Sequence, residues 1–214
     1  LLYPRIACRT LKMLLDFAQL SALEAYRWLA ATVTPRPIAW VSTRSPEGVD
    51  NLAPFSFFQV ISDQPPTLMI NVGSRDDGSL KDSLRNARDT GELVIQLVPF
   101  ALAEAMNATA ALLGPQVSEF EQCGIAREAS LRVAPPRVGG APVVFECRVA
   151  EIQPYPRQAP NCHLIFAEVL LAHIDEAVLD GEGRIDPARL DLVGRLGGSG
   201  YTRTRDIFRM QRPS

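Results

Sequence analysis

The sequence predicts a mainly β protein, an antiparallel barrel with helical insertions. Three observations carry that expectation. Six or seven strand-like segments stand against two or three helical ones, and the helices fall between strands rather than alternating with them, which disfavours a doubly wound parallel sheet. Cys162–Leu171 is largely apolar on both alternate faces. An antiparallel strand is usually wetted on one face, so this one implies a cover, either a second subunit or an inserted helix. The length of 214 residues suits one domain with a substantial core, expected over 13–214.

The elements follow in order. Leu20–Leu29 has apolar residues near helical spacing, with Ser21 placed as a cap and Glu24 three residues on. Thr34-Pro35-Arg36-Pro37 ends that helix, because proline lacks a donor and restricts its predecessor. Ile38–Thr43 is β-prone and Ser45-Pro46-Glu47-Gly48 is a turn. Val49–Ile61 reads as a second strand, broken at Asn51-Leu52-Ala53-Pro54 because Pro54 cannot donate to a ladder. Thr67–Val72 is a third. Ser79–Arg88 is a helix with Leu80, Leu84 and Ala87 on one face, Ser79 and Asp82 in a capping pattern, and Gly91 as its stop. Glu92–Val98 is a strand, Ala101–Leu113 an alanine-rich helix, and Val143–Ile152 and Cys162–Ile174 are long strands. Asp180-Gly181-Glu182-Gly183 fits a hairpin turn.

Composition excludes several classes. Hydrophobic residues at 47% and charged residues at 21% describe an ordinary globular chain rather than a disordered or fibrous one. A net charge of −2, with scattered Lys and Arg, gives no footprint for nucleic acid. No run of about 18 apolar residues is present to span a membrane. The four cysteines form no C-x-x-C pair, and two lie in strand-like runs, which suggests reduced core thiols and the cytoplasm. Residues 1–12 lack a signal-peptide core, and Met13 precedes the first folded-looking segment. An N-terminal extension, non-native or disordered, is expected over 1–12, with Met13 as the natural start.

The familiar catalytic devices are missing. Two histidines, His163 and His173, and unpaired cysteines make no zinc site. Neither G-x-S-x-G nor a Walker loop occurs, and the glycines between Gly194 and Gly200 lack the strand and helix that a dinucleotide fingerprint needs. Such a chain suits a bound cofactor that carries the chemistry.

Three segments offer positive signals, each with a plainer alternative. The helix start at Ser79, with Lys81 and Ser83, is equipped to hold an anion, but also reads as a capped surface helix. Asn51–Phe58 combines irregular backbone with phenylalanines, suited to the edge and face of a planar heterocycle, or simply to a bulge in the core. His163 on its strand is either a packed residue or a proton donor to a cofactor.

Taken together, Pro35–Thr43, Asn51–Phe58, Lys81-Asp82-Ser83 with Asn86, His163 with Phe166-Ala167-Glu168-Val169, and Arg195–Tyr201 resemble the flavin reductase-like, FMN-binding split-barrel family. The motifs occur in the right order over roughly residues 13–205, and order across separated motifs is more specific than any one of them. The resemblance implies a Greek-key split barrel, a homodimer, and FMN in a cleft near the subunit interface. It implies that Ser42 and Thr43 face the flavin. Residues 51–57, including Leu52, Pro54 and Phe57, would line the isoalloxazine, with backbone at Asn51 and Ala53 and the Ser56 hydroxyl as partners. Arg36, Lys81 and Ser83 would hold the phosphate, while Asp82 and Asn86 support the helix or reach the ribityl chain. His163, as the catalytic candidate, and Tyr201 would border the nicotinamide. Many relatives carry threonine at Ser83, which keeps the hydroxyl. The implied activity is hydride transfer from NADH or NADPH to flavin, with reduced flavin passing to a partner oxygenase or other acceptor. A non-catalytic FMN carrier and a flavin-dependent oxidase of the pyridoxamine-phosphate-oxidase type are the alternatives.

Overall fold

Seven antiparallel strands form the body of the protein, in a computed structural model that describes residues 12–213. The extension expected over 1–12, Lys12 apart, and Cys8 lie outside the described residues. Helix α1 (Ala22–Thr32) opens the fold with the expected cap: Ser21 Oγ accepts from Glu24 N–H, and the Glu24 carboxylate accepts from Ser21 N–H. Strands β1 (Ala39–Arg44), β2 (Asp50–Phe55), β3 (Phe58–Asp63) and β4 (Pro66–Gly73) follow. Helix α2 (Asp82–Thr90) leads into β5 (Glu92–Leu97). A 3₁₀ turn at Phe100–Leu102 precedes α3 (Ala103–Ala108), and α4 (Glu119–Gln122) and two short strands, β6 (Arg127–Glu128) and β7 (Arg137–Val138), come next. The long strands β8 (Val143–Tyr155) and β9 (Cys162–Ile174), then α5 (Pro187–Leu190), β10 (Val193–Arg195) and β11 (Tyr201–Arg203), complete the chain.

The strand order is β2-β1-β5-β8-β9-β4-β3. Its two edges, β2 and β3, are consecutive in sequence, so the two residues between them, Ser56 and Phe57, carry the chain across the seam. Asn71 N–H on β4 donates to the Phe57 carbonyl at 2.8 Å, tying the crossing point down. Register shifts at Glu146/Cys147 and at Val149/Glu151 bend β8 and help the sheet curl. The result is a mainly β, antiparallel split barrel.

Alternation along β1 sorts the core into two layers. Ala39 and Val41 point inward with Phe55, Ile70, Leu93, Ile95 and Ile165, and α2 plugs the barrel mouth with Leu84 and Ala87. Ile38, Trp40 and Leu52 point outward and are covered by Met106, Phe120 and Val138. Each fully buried aliphatic side chain contributes about 1.5–3 kcal/mol of transfer energy.

Three expected features differ. The second strand breaks at Ser56-Phe57, not at Asn51–Pro54; Pro54 sits within β2, opposite Trp40. Helix α2 starts at Asp82 rather than Ser79. Asp77 takes the Ser79 N–H at 2.9 Å, and Arg75 N–H closes a loop on the Ser79 carbonyl, so Ser79 belongs to a turn and Lys81 is the uncapped first position. The alanine-rich helix ends at Ala108, because the buried Thr109 hydroxyl donates to the Met106 carbonyl and accepts from Trp40 Nε1 at 2.9 Å. The Asp180–Gly183 turn closes as expected, with Asp180 N–H donating to the Arg184 carbonyl at 2.8 Å and Leu179 bridging Ile185.

Candidate functional site

A cleft opens where edge strand β2, the start of α2 and the chain after α3 meet. Its cavity volume is about 130 Å³, and it is open to solvent on one side. Asn51, Ala53 and Pro54 form one wall, Lys81 and Ser83 another, and Thr109–Leu113 the rim. Asn51 Nδ2 donates to Ser83 Oγ at 2.9 Å, so β2 and the α2 turn are joined directly.

The sheet edge explains how β2 tolerates its proline. Leu52 N–H turns away from β1 and donates to the Glu119 carboxylate at 2.8 Å. Antiparallel pairing alternates inward and outward backbone groups, so Pro54, two residues on, also faces outward and its missing donor leaves the ladder intact. The outward backbone groups therefore belong to Leu52 and Pro54, not to Asn51 and Ala53 as expected. The Asn51 and Ala53 side chains line the cleft instead.

The α2 end has the donor set of an anion site. No side chain caps Lys81, which leaves the first N–H groups of a nine-residue helix to other partners. Lys81 Nζ lies 5.8 Å from the Phe55 ring centre. Arg75, absent from the expected set, lines the same cleft; it pairs with Asp82, and its Nε is buried without a partner. An orphaned buried donor beside a lysine, a hydroxyl and a helix N-terminus fits a phosphate group.

Glu119 is a second residue the sequence did not disclose. It is buried and lines the cleft. Burial raises its pKa, the N–H groups of Leu52 and of Glu119 itself pull the other way, and nearby Asp82 adds to the rise. Sixty-seven positions separate Leu52 from Glu119, and no sequence signal joins them. For Arg75 a signal did exist: it lies in the glycine-containing loop that leads to Lys81.

Several expected contacts are corrected. Ser42 and Thr43 do not reach the cleft: both are fully buried, the Ser42 hydroxyl donates to the Pro136 carbonyl, and Thr43 Oγ1 accepts from Asn86 Nδ2 at 3.2 Å. Asn86 is thereby held in the core, where it supports α2 and does not line the cleft. Asp82, by contrast, lines the cleft as expected, held by Arg75 and Arg85. Ser79 is exposed in its turn and does not line the cleft. Arg36 is not beside Lys81: its Nη1 donates to the Ala30 and Val33 carbonyls at the end of α1, its Nη2 to Leu196, and its Nε to Ser56 Oγ at 3.4 Å. Phe57 lies on the seam beneath the Arg36 guanidinium at 5.6 Å.

A second pocket continues the first, sharing Pro54 and Ala110 with it and adding Ser56, Arg195 and Tyr201. The Tyr201 hydroxyl donates to Asn107 Oδ1 at 3.2 Å. His163 joins neither pocket. It pairs with Val72 and Pro154 across β9 and is half-buried, with its Nδ1 buried and unpartnered. Cys123, Cys147 and Cys162 are free thiols, and burial pushes Cys147 up to about 12. Among the described residues, no cluster of three or more His, Cys, Asp or Glu is placed to hold a metal, and no helix is long and apolar enough to cross a membrane.

Comparison with known proteins supplies the context. A model of the flavin reductase like domain matches residues 31–188. An uncharacterised protein of Aquifex aeolicus is 41% identical over 178 residues, covering 83% of this chain and 89% of its own. Nitrilotriacetate monooxygenase component B from Bacillus cereus superposes with a TM-score of 0.88 at 29% identity, over 93% of this chain and 98% of that one. The 2-nitrobenzoate 2-nitroreductase NbaA of Pseudomonas fluorescens gives 0.84 at 28% identity, over 94% and 97%. With a split barrel and a matching family model over most of its length, the chain belongs to the flavin reductase-like family, and its function is flavin-related oxidoreduction.

Proposed function

We propose that the protein is an NAD(P)H-dependent flavin reductase that binds FMN in the cleft between β2 and α2. The observation that supports this most is the Asn51–Ser83 hydrogen bond at 2.9 Å, which joins the heterocycle wall to the phosphate-type donor set. Lys81, Ser83, Arg75 and the first N–H groups of α2 hold the phosphate. The Pro54 carbonyl faces outward at the sheet edge, and Ala53 and Pro54 form the surface for the ring system. Bound FMN supplies the hydride-accepting centre. The protein orients the two partners and limits water at the contact through Thr109–Leu113. Ser56 and Tyr201 flank the space next to the ring site, where a nicotinamide from NADH or NADPH stacks. His163 stands outside this cleft and has no part in this arrangement.

A homodimer accords with the apolar surface left open on α1 and β3: Leu23, Tyr26, Leu29, Val60 and Ile61 are all exposed. The free thiols suit a reducing cytoplasm. The similarity to component B of a monooxygenase supports transfer of reduced flavin to a partner oxygenase. The test is the absorption spectrum of the purified protein and its oxidation of NADH and NADPH with added FMN. Flavin binding and turnover are expected; a yellow protein without turnover would leave a carrier instead.

A further inference from the structure

On the far side of the second pocket, a cavity of about 200 Å³ lies between α1 and the C-terminal loop. Three arginines line it, Arg27, Arg36 and Arg195, with Tyr26 on the wall and no carboxylate among the lining residues. Its position is fixed by close packing. A Cβ on Gly197 would lie 2.8 Å from Ala31 Cα, so only glycine lets the loop rest on the helix here.

The charge arrangement is unusual for this chain. Most of its described arginines in the folded body pair with Asp or Glu, yet none of these three forms an ion pair. Arg36 is 8% exposed, and among the described residues its partners are carbonyls, the Ser56 hydroxyl and the Phe57 ring, with the negative end of α1 as a partial counter-charge. Arg36 and Arg195 are also direct backbone partners, with Arg36 N–H to the Arg195 carbonyl at 3.0 Å and the reverse bond at 2.8 Å. Like charges opposite each other on paired positions repel. The Arg195 guanidinium stacks on Tyr201 at 4.4 Å and engages only the Gly198 carbonyl, which leaves other donors open. Glu24, one turn before Arg27, is committed to the α1 cap. A bound polyanion would relieve the repulsion and complete the donors.

We propose that this three-arginine pocket binds a phosphoester of the nicotinamide dinucleotide whose nicotinamide stacks on the flavin. Arg195 lines both this cavity and the pocket that continues the FMN cleft, so the two adjoin at one side chain, within reach of one extended ligand. The inference rests on the reductase reading. The phosphoester is either the 2′-phosphate of NADPH or the diphosphate bridge shared with NADH.

The test is isothermal titration of the protein, saturated with FMN, with 2′,5′-ADP and separately with ADP, repeated on Arg27→Ala, Arg195→Ala and Arg195→Lys. Binding of at least one probe is expected. Affinity should fall about tenfold or more in each alanine variant, recover in part with lysine, and weaken with salt, while FMN affinity stays unchanged. A preference for 2′,5′-ADP assigns the site to a 2′-phosphate and makes NADPH the reductant. A preference for ADP assigns it to the diphosphate. Absence of binding, or binding that no variant alters, overturns the inference. Dinucleotide oxidation is measured alongside. Turnover with a KM unmoved by the variants removes the arginine site and leaves the reductase. Probe binding lost in the variants without any turnover removes the reductase and leaves the anion site.

Discussion

Asn51 and Ser83 lie 32 positions apart in sequence, and a 2.9 Å hydrogen bond joins them. That bond locks the edge strand of the barrel to the helix that plugs its mouth. The flat wall and the anion-ready helix start consequently face one cleft, at a spacing neither segment could set alone.

The first prediction follows from that junction. Replacing Lys81 and Ser83 together with alanine removes one charge-assisted contact and one neutral one. FMN binding should weaken by on the order of 2–4 kcal/mol, roughly 30- to 1,000-fold, with the fold retained. Fluorescence titration of FMN reads the change, and circular dichroism checks the fold. An unaltered dissociation constant would put the phosphate elsewhere.

Glu119 gives a pH signature. Burial raises its pKa, so its contribution to stability is fully present below the unfolded value and is lost as pH rises through the folded one. Glu119→Gln keeps an acceptor for Leu52 N–H and removes the charge. The variant should melt higher than wild type at about pH 7, with the gap closing near about pH 4, where carboxyls protonate in both states. A gap independent of pH would refute this.

Glu146 behaves in the opposite sense. Burial works to raise its pKa, but N–H bonds from Leu131 and Arg132 and the His173 ring at 2.6 Å outweigh it and hold the carboxyl low. Its stabilisation is present above the unfolded pKa and lost as pH falls through the folded one. Glu146→Ala also strands two backbone donors, at about 1–3 kcal/mol each. Chemical denaturation should show a large loss at about pH 7 that shrinks in acid. Equal losses at both pH values would count against the linkage.

Thr109 couples the core to the cleft rim. Thr109→Val leaves Trp40 Nε1 without its acceptor, at a cost of about 1–3 kcal/mol. Hydrogen exchange over residues 110–113 should accelerate, and Thr109→Ser should restore protection. Unchanged exchange in the valine variant would separate the rim from the core.

Much of the strand inventory was legible because period-two alternation and proline punctuation are local. The Ser21–Glu24 cap and the Gly91 stop were legible for the same reason. Lys81 and Ser83 could be picked out because a helix N-terminus carries its own chemistry wherever it folds.

What the sequence by itself determined, then, was the element order and the cleft-lining positions Asn51, Ala53, Lys81 and Ser83; both faces of β9 are apolar, but only Ile165 and Ala167 on one of them are buried. Only the tertiary structure decided which groups share a cleft. Arg36 looked like a ligand of the flavin phosphate, but it stands at the end of α1 rather than beside Lys81; Ser42 and Thr43 looked exposed to a ligand, but strand alternation buries one in each core layer. Arg75 and Glu119 entered the cleft through contacts that pattern does not encode. The physical reason is that periodicity and capping act over a few residues, whereas the curl of the barrel sets distances between residues far apart in the chain.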